Sequence, residues 1–398
     1  MSFAPSPQVA KLFNYLIIYG DVIMPADTIT VYDTVVQGRT ILIEDDAPRL
    51  LQERYFPTIE PLDLTDARGK IMLDFDNGDF KEGVYIRKGF SDVDTVSFFS
   101  KAVDVPRVAV EDGLLTSDKD RKIFEALCRE QGVLNPNHAD AMTDLLRIKS
   151  SRVVRRCSRS IEKLGATVLL NNAISFTCDT SPTDTTQVPI SVQYYESTNE
   201  QVFNPTVNWG SEGATPYADV CEMVRTLKNH GGKADDLLLN EKAWDLLFAD
   251  MKANGLIDTQ IHYTTIANGD TRDLFNPAIE DAEWIGRALF NGHGLNVIVY
   301  NGAYENSSGV MTPYLGEDTF ACVLAPMMGH TICGGAVLPN PAAMVSGNLS
   351  SALDIKVGKY IVSQYYDFKD NEIKVRCESN PLPAPLSKWK FITYRDND

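Results

Sequence analysis

The chain has 398 residues, of which 44% are hydrophobic and 23% charged, so it is long enough for two or three globular domains. Its formal net charge of -17 argues against a general nucleic-acid binder, because such proteins carry excess lysine and arginine to neutralise phosphates. Seven scattered cysteines without a CxxC pair favour buried free thiols in a reducing compartment over disulfides or metal sites. The apolar run LFNYLIIY near the N-terminus is too short to span a bilayer and lacks a cleavage-site pattern, so we expect no signal peptide and no membrane segment.

Residues 1–60 are predicted to form an extended arm. The stretch TITVYDTVVQGRTILIED alternates enough to give one or two strands around Gln37 and Gly38, and DDAPRLLQERYFP predicts a short helical turn that Pro57 ends. The arm has little apolar core of its own. It should therefore lie on another part of the protein or on another subunit.

Residues 61–107 are predicted to form a projecting hairpin. Strand-like pieces at 70–75, 83–88 and 95–99 are joined by the segments DNGD and KGFSD, and the Asn-Gly pair favours a tight turn. The segment has few apolar residues, and a hairpin with so little to bury is only marginally stable alone. We expect a neighbour to stabilise it.

Residues 108–205 contain the main helical signal. SDKDRKIFEALCREQG predicts one helix, and NPNHADAMTDLLRIK starts a second that either continues past Ser150 or breaks there. Residues 150–170 predict a long amphipathic helix, here named the spine helix, followed by a hairpin with the sequence ISFTCDTSPTDTTQVPISVQYY. The predicted apolar stripe of the spine helix has steps of four, four, three and four residues and comprises Val153, Cys157, Ile161, Leu164 and Val168.

The remaining faces of the spine helix carry five cations, which we name the basic face: Arg152, Arg155, Arg156, Arg159 and Lys163. Among the residues of the helix, only Glu162 opposes these charges. The plainest interpretation is a helix that lies on a sheet with its charges in water. The basic face could instead contact a phosphate backbone, but in an acidic chain we favour pairing with carboxylates of the same or an adjacent subunit.

Residues 206–340 change to alternating helix and strand and predict a compact α/β domain. Thr215 and Pro216 are predicted to open one helix, while Asn240 caps a second helix that Gly255 ends. LNVIVYNGAY and TFACVLAP are typical of short buried strands.

Residues 341–398 return to longer alternating strands. The segment 351–379 has a strand pattern similar to that of residues 174–195, so we expect these strands to pair with the hairpin beside the spine helix. The α/β domain would then be inserted into the domain that contains the spine helix.

No group of residues in the sequence indicates catalysis. The chain has no GxSxG, Walker loop or GxGxxG, and adjacent carboxylates such as Asp45-Asp46 and Asp235-Asp236 are what an acidic surface contains by chance. The five histidines are far apart, with no spacing typical of a metal site: His138, His230, His262, His293 and His330. We therefore predict no enzyme, no cofactor and no metal.

The order of these parts resembles the major capsid proteins of tailed phages, and among them the head protein of the phage lambda type. The resemblance covers most of Leu50 to Leu338. It is carried by five segments in the same order as in that family: RLLQERYFPT, LLRIKSSRVVRRCSRSIEKLGATVLLNNAISFTC, NWGSEGATPYADV, DDLLLNEKAWDLLFAD and GLNVIVYNGAYENSSGVMTPYLGEDTFACVLA.

The resemblance implies an α+β tailed-phage major capsid fold. Its parts would be an N-terminal arm (1–60), an extended loop (61–107), a peripheral domain with the spine helix (108–205), an inserted axial α/β domain (206–340), and the peripheral return strands with the C-terminal tail (341–398). The extended loop would lie over an adjacent subunit. Candidates for that inter-subunit contact are Asp74, Asp76, Asp79, Lys81, Arg87 and Lys88.

The function implied by the resemblance is structural, with no catalytic residues. Copies of the chain would form the pentamers and hexamers of an icosahedral shell around phage double-stranded DNA, with only weak, non-specific contact to that DNA. Implied partners are a separate scaffolding protein, a portal protein and, as in lambda-type relatives, a decoration protein at three-fold positions. The shell would assemble in the host cytoplasm and reside in the virion. The alternatives are an encapsulin-like compartment shell and a non-assembling soluble α/β binding protein or enzyme.

Overall fold

A computed structural model describes most of the chain beyond its first 26 residues. The described residues are 27–33, 38–43, 49–58, 70–75, 99–104, 107–114, 118–130, 138–181, 184–194, 201–256, 282–306, 308–339, 353–367, 372–386 and 388–396. Within these ranges the helices are α1 Asp118–Glu130, α2 His138–Asn171, α3 Pro216–Asn229 and α4 Glu241–Ala253, with a single turn at Leu51–Tyr55 and a 3-10 turn at Lys388–Lys390.

The strands of the first half of the chain are β1 Asp27–Asp33, β2 Gly38–Ile43, β3 Lys70–Phe75, β4 Phe99–Asp104, β5 Val108–Gly113, β6 Ala173–Ser181 and β7 Asp184–Gln193. Those of the second half are β8 Asp236–Leu239, β9 Ala282–Phe290, β10 His293–Tyr300, β11 Ala303–Glu305, β12 Met311–Pro313, β13 Phe320–Leu324, β14 Gly329–Cys333, β15 Gly335–Pro339, β16 Leu353–Val357, β17 Ile361–Asp367, β18 Glu372–Ser379, β19 Pro381–Pro385 and β20 Phe391–Arg395.

The spine helix is α2, and it is one continuous helix of 34 residues. The second predicted helix therefore runs through Ser150 without a break. Its apolar stripe is confirmed: Val153, Cys157 and Val168 are at most 1% exposed. This repeat places the same face of the helix against the protein along its length.

The first half of the spine helix packs on a five-stranded sheet with the order β2-β1-β17-β18-β5. Strands β1 and β17 are parallel, with Val31 beside Val362, and the other neighbours are antiparallel. The expectation that the late strands pair with the hairpin after the spine helix is wrong, because β6 and β7 pair with each other while β17 and β18 pair with β1 and β5. Alternation in a sequence indicates which face of a strand is buried, but it does not select the neighbouring strand.

A second five-stranded sheet, with the order β20-β13-β8-β10-β9, forms the centre of the α/β unit. Because alternate side chains point to opposite faces, Leu237 and Leu239 pack towards α3 and α4, while Leu238 packs towards the spine helix. The Asn240 cap is confirmed, since its side chain accepts a hydrogen bond from the Ala243 N–H at 3.0 Å. The helix opened by Pro216 is confirmed as well, although its cap residue makes no side-chain hydrogen bond.

The last strand, β20, joins this second sheet beside β13, with Phe391 opposite Leu324. The sequence predicts that residues 341–398 form the return strands of the peripheral domain and the C-terminal tail. β20 lies in this range, but it pairs with β13 in the sheet of the α/β unit. The C-terminal tail is among the parts least similar to the family, so no matched motif indicated which sheet β20 would join. Its buried side chains, including Tyr394, complete the core under α3 and α4.

The helical turn of the predicted arm, Leu51–Tyr55, is buried within the same chain. Leu51, Tyr55 and Phe56 have no exposed surface and pack between the spine helix and the second sheet. Gly329 allows this approach, because a Cβ there would lie 2.7 Å from the Phe56 ring. This part of the arm therefore lies on another part of the same chain, which is one of the two alternatives expected from the sequence.

Candidate functional site: the spine helix and its junction

The cations of the spine helix have different surroundings. Arg152 is half-exposed and its Nη1 donates to Asp112 Oδ2 at 3.0 Å. Arg155 is half-buried, whereas Arg156 and Arg159 are exposed. Lys163 is exposed too, with its Nζ 4.5 Å from the centre of the Tyr304 ring, which is a cation–π distance. The basic face is thus partly engaged within the chain and partly open.

Lys149 is a further cation of this helix, and sequence reasoning missed it. It is 2% exposed, and its Nζ lies 3.1 Å from an Asp112 oxygen and 2.9 Å from an Asp120 oxygen. These contacts tie the spine helix to β5 and to α1. The sequence carried a signal, because Lys149 precedes Val153 by one helical step and so continues the buried stripe.

A cleft of about 260 Å³ opens beside these cations and is lined by Arg147, Ile148, Ser151, Arg152 and Arg155. Its walls are mainly polar, and the mostly apolar lining typical of a small-molecule site is missing. Among the described residues no group of His, Cys, Asp or Glu side chains could hold a metal ion. In the ranges that the structure describes, no helix is long and apolar enough to cross a membrane.

Glu162 is buried where the arm turn, the spine helix and the second sheet meet. Its carboxylate accepts hydrogen bonds from the Leu51 N–H at 2.7 Å, the Gln52 N–H at 3.1 Å and the Tyr300 hydroxyl at 2.7 Å. Burial raises the pKa of Glu162 to about 7, and these hydrogen bonds oppose the rise. The sequence suggested that Glu162 opposes the cations of the helix, but it faces the interior and satisfies the open N–H groups of the arm turn.

A buried ion pair fixes the arm turn to the second sheet. Asp236 is fully buried and accepts from Arg54 Nε at 2.7 Å and Arg54 Nη2 at 2.9 Å. Tyr55 and Asn296 also donate to this carboxylate, at 3.3 and 2.9 Å. Asp236 is therefore a structural anchor, and the interpretation of Asp235-Asp236 as a chance surface pair is wrong for its second member. Its position at the start of the apolar strand DLLL was the available signal.

The C-terminal strand also contacts the spine helix. Arg395 Nη1 donates to the Leu170 carbonyl at 3.0 Å and to Asn171 Oδ1 at 2.8 Å. The last carbonyls of a helix have no partner within the helix, and a cation there is favourable. Arg395 therefore joins the end of the spine helix to the sheet that contains β20.

Most of the extended-loop candidates cannot be placed. Asp74 lies in β3, which matches the strand predicted at 70–75, and it lies opposite Ser100 of β4, whose range 99–104 differs from the strand predicted at 95–99. The other five candidates lie outside the described residues: Asp76, Asp79, Lys81, Arg87 and Lys88. Their role in inter-subunit contact stays a prediction.

Comparison with known proteins identifies the family. A family described as "Phage major capsid protein E" matches residues 129–388, which are 260 of the 398 residues. This segment holds the spine helix and most of the second sheet. A search of curated proteins finds no match.

A solved structure also has this fold, and two others align less closely. A protein assigned as a prophage capsid protein of Escherichia coli CFT073 aligns with a TM-score of 0.56 at 12% identity, over 88% of this chain and 94% of that one. The capsid of Ralstonia phage GP4 aligns with a TM-score of 0.46 at 11% identity, over 89% and 93%. The SrpI encapsulin of Synechococcus elongatus PCC 7942 aligns with a TM-score of 0.40 at 10% identity, over 100% and 97%.

The α+β capsid fold expected from the sequence is thus confirmed, with the spine helix and the α/β sheet as its main parts. The family match covers more than half of the chain and includes the whole spine helix with Glu162. The chain belongs to the phage major capsid protein E family, and its function is the structural one of building a capsid shell.

Proposed function

We propose that copies of this chain assemble into the pentamers and hexamers of an icosahedral shell that encloses double-stranded DNA, without enzymatic activity. The observation that carries the proposal is the family match over residues 129–388, together with a fold in which that segment supplies most of the buried core residues. Many modest contacts between copies would act together in a closed shell.

The proposal includes the partners that such a shell needs. A separate scaffolding protein would guide assembly, a portal protein would occupy one vertex, and a decoration protein would bind at three-fold positions. Packaged DNA would touch the inner surface weakly, since the net charge of -17 repels phosphates. Assembly would take place in the host cytoplasm, and the finished shell would be part of the virion.

The purified protein should form closed shells or ring-shaped capsomers in negative-stain electron microscopy when it is expressed with its scaffolding protein. The physical reason is that weak interfaces become effective only when many copies are held together. Particles that contain DNA would support the phage capsid, whereas particles that contain a protein cargo would support the encapsulin alternative. A monomer or dimer under every condition, shown by size-exclusion chromatography, would contradict the proposal.

Deleting residues 74–89 should abolish closed shells while the subunit still folds. The loop is proposed to lie over an adjacent subunit, and its sequence has few apolar residues, so folding of the subunit should not depend on it. Electron microscopy measures the loss of shells, and the matched control is the far-UV circular dichroism of the deleted and full-length subunits, which should agree. Normal shells from the deletion variant would refute the role of the loop.

A further inference from the structure

Two exposed arginines of the spine helix, Arg156 and Arg159, form what we name the two-arginine patch. They lie three residues apart in α2, so their side chains emerge on neighbouring positions of one helical face. Among the described residues, neither side chain makes a hydrogen bond or an ion pair. The cations on either side differ, since Arg152 binds Asp112 and Lys163 lies over Tyr304.

We propose that the two-arginine patch is a docking site for carboxylates on a second copy of this chain in the assembled shell. This inference rests on the proposed function, because only a shell places a second copy against the spine helix. The chain has 54 acidic and 37 basic residues, so any copy presents an excess of carboxylates. A guanidinium group suits such a partner, because its planar fork can donate two parallel hydrogen bonds to one carboxylate.

Two other cations of the spine helix form ion pairs with carboxylates of the same chain. Lys149 and Arg152 both bind Asp112, and Lys149 binds Asp120 as well, at distances of 2.9 to 3.1 Å. These carboxylates come from β5 and α1, two elements that pack on the first half of the helix. The two-arginine patch lies one to two turns further along, where the described residues provide no carboxylate for it. A neighbouring copy can provide carboxylates for Arg156 and Arg159, as the chain itself does for Lys149 and Arg152.

Packaged DNA fits this patch less well than a second copy does. Double-stranded DNA carries about one negative charge per 1.7 Å of axis, so two arginines would neutralise only about two phosphates. The surrounding surface belongs to a protein of net charge -17 and repels the rest of the duplex. Carboxylates on a second copy carry fewer charges and need no continuous basic surface.

The test uses the full-length chain with the double substitution Arg156→Gln and Arg159→Gln. The matched control is Lys233→Gln with Lys252→Gln, which removes the same charge from two other exposed positions that make no ion pair among the described residues. Shell assembly with the scaffolding protein is measured by sedimentation over a range of subunit and salt concentrations. Nucleic acid retained by nuclease-treated particles is measured by absorbance.

The patch variant should need a subunit concentration about tenfold higher than the control does, because each subunit loses two ion pairs that recur throughout the shell. Its assembly should also respond less to added salt than wild-type assembly does. If the variant assembles like the control, the inference is overturned, and reduced nucleic acid in those shells would assign the patch to DNA. If the double variant misfolds, Arg156→Gln and Arg159→Gln are measured separately in the same assembly assay. Failure of the wild-type chain to form shells would instead overturn the proposed function.

Discussion

Replacing Asp236 by asparagine should lower the free energy of unfolding of the subunit by about 3 to 5 kcal/mol. Asp236 is fully buried and faces Arg54, whose side chain is only 10% exposed. The substitution removes the negative charge but keeps the size of the side chain. It therefore removes the charged acceptor of two hydrogen bonds from a mostly buried guanidinium group, and the loss of one partner of a buried pair costs more than the pair itself contributes.

Urea denaturation followed by circular dichroism measures this loss, and the neighbouring residue offers a matched control. Asp235 precedes the ion pair directly and is exposed, so Asp235→Asn should change the unfolding free energy by less than about 0.5 kcal/mol. A double variant that replaces Asp236 by leucine and Arg54 by methionine should recover only part of the stability, because the buried ion pair is then removed as a whole but the Tyr55 hydroxyl and the Asn296 amide lose this acceptor. Equal stability of Asp236→Asn and Asp235→Asn would contradict the anchoring role.

The contrast between Asp235 and Asp236 shows that the sequence alone does not predict which of two adjacent aspartates is buried. Both are aspartates in one acidic segment, and only the fold decides that the second points between the arm turn and the second sheet. Helical periodicity, in contrast, is local, so the buried stripe through Val153 and Cys157 was predictable from the sequence alone. The Asn240 cap was predictable for the same reason, since its partner is three residues away.

Contacts between distant segments were the part that the sequence could not determine. The pairing of β1 with β17 joins residues more than 300 positions apart, and the sequence of neither strand indicates which strand lies beside it. Glu162 has the same difficulty, because its hydrogen-bond donors come from the arm turn and from β10. Family resemblance reached the right fold because the order of the parts is preserved, although β20 lay in the segment with the weakest resemblance.

The stability of the subunit should depend on pH through Glu162. Its pKa is about 7 in the folded chain, against an ordinary value of 4.5, so the folded state holds this proton over a pH range in which the unfolded chain has lost it. Stability from this group is therefore complete below about pH 4.5 and falls as the pH rises to 7. The fall amounts to roughly 3 kcal/mol at most, since one pKa unit corresponds to about 1.4 kcal/mol.

Glu162→Gln should remove this pH dependence. The glutamine oxygen can accept from the Leu51 N–H and the Tyr300 hydroxyl, whereas its amide faces the Gln52 N–H as a second donor; the side chain is uncharged at every pH. Urea midpoints at pH 5.0 and 7.5 should therefore differ less for the variant than for the wild type. The prediction concerns the difference between the two pH values and not the absolute stability at pH 7.5, because the variant removes a buried charge but also removes the acceptor of the Gln52 N–H.

The control for this prediction lies in the same arm turn. Glu53 is partly exposed and pairs with Arg49 at 3.3 Å, so Glu53→Gln should leave the difference between the two urea midpoints as it is in the wild type. If Glu162→Gln keeps the wild-type difference, the ionisation of Glu162 is not what couples the stability of the subunit to pH. If it removes the difference, protonation of Glu162 is what stabilises the folded subunit in mild acid, because the buried junction then holds an uncharged side chain.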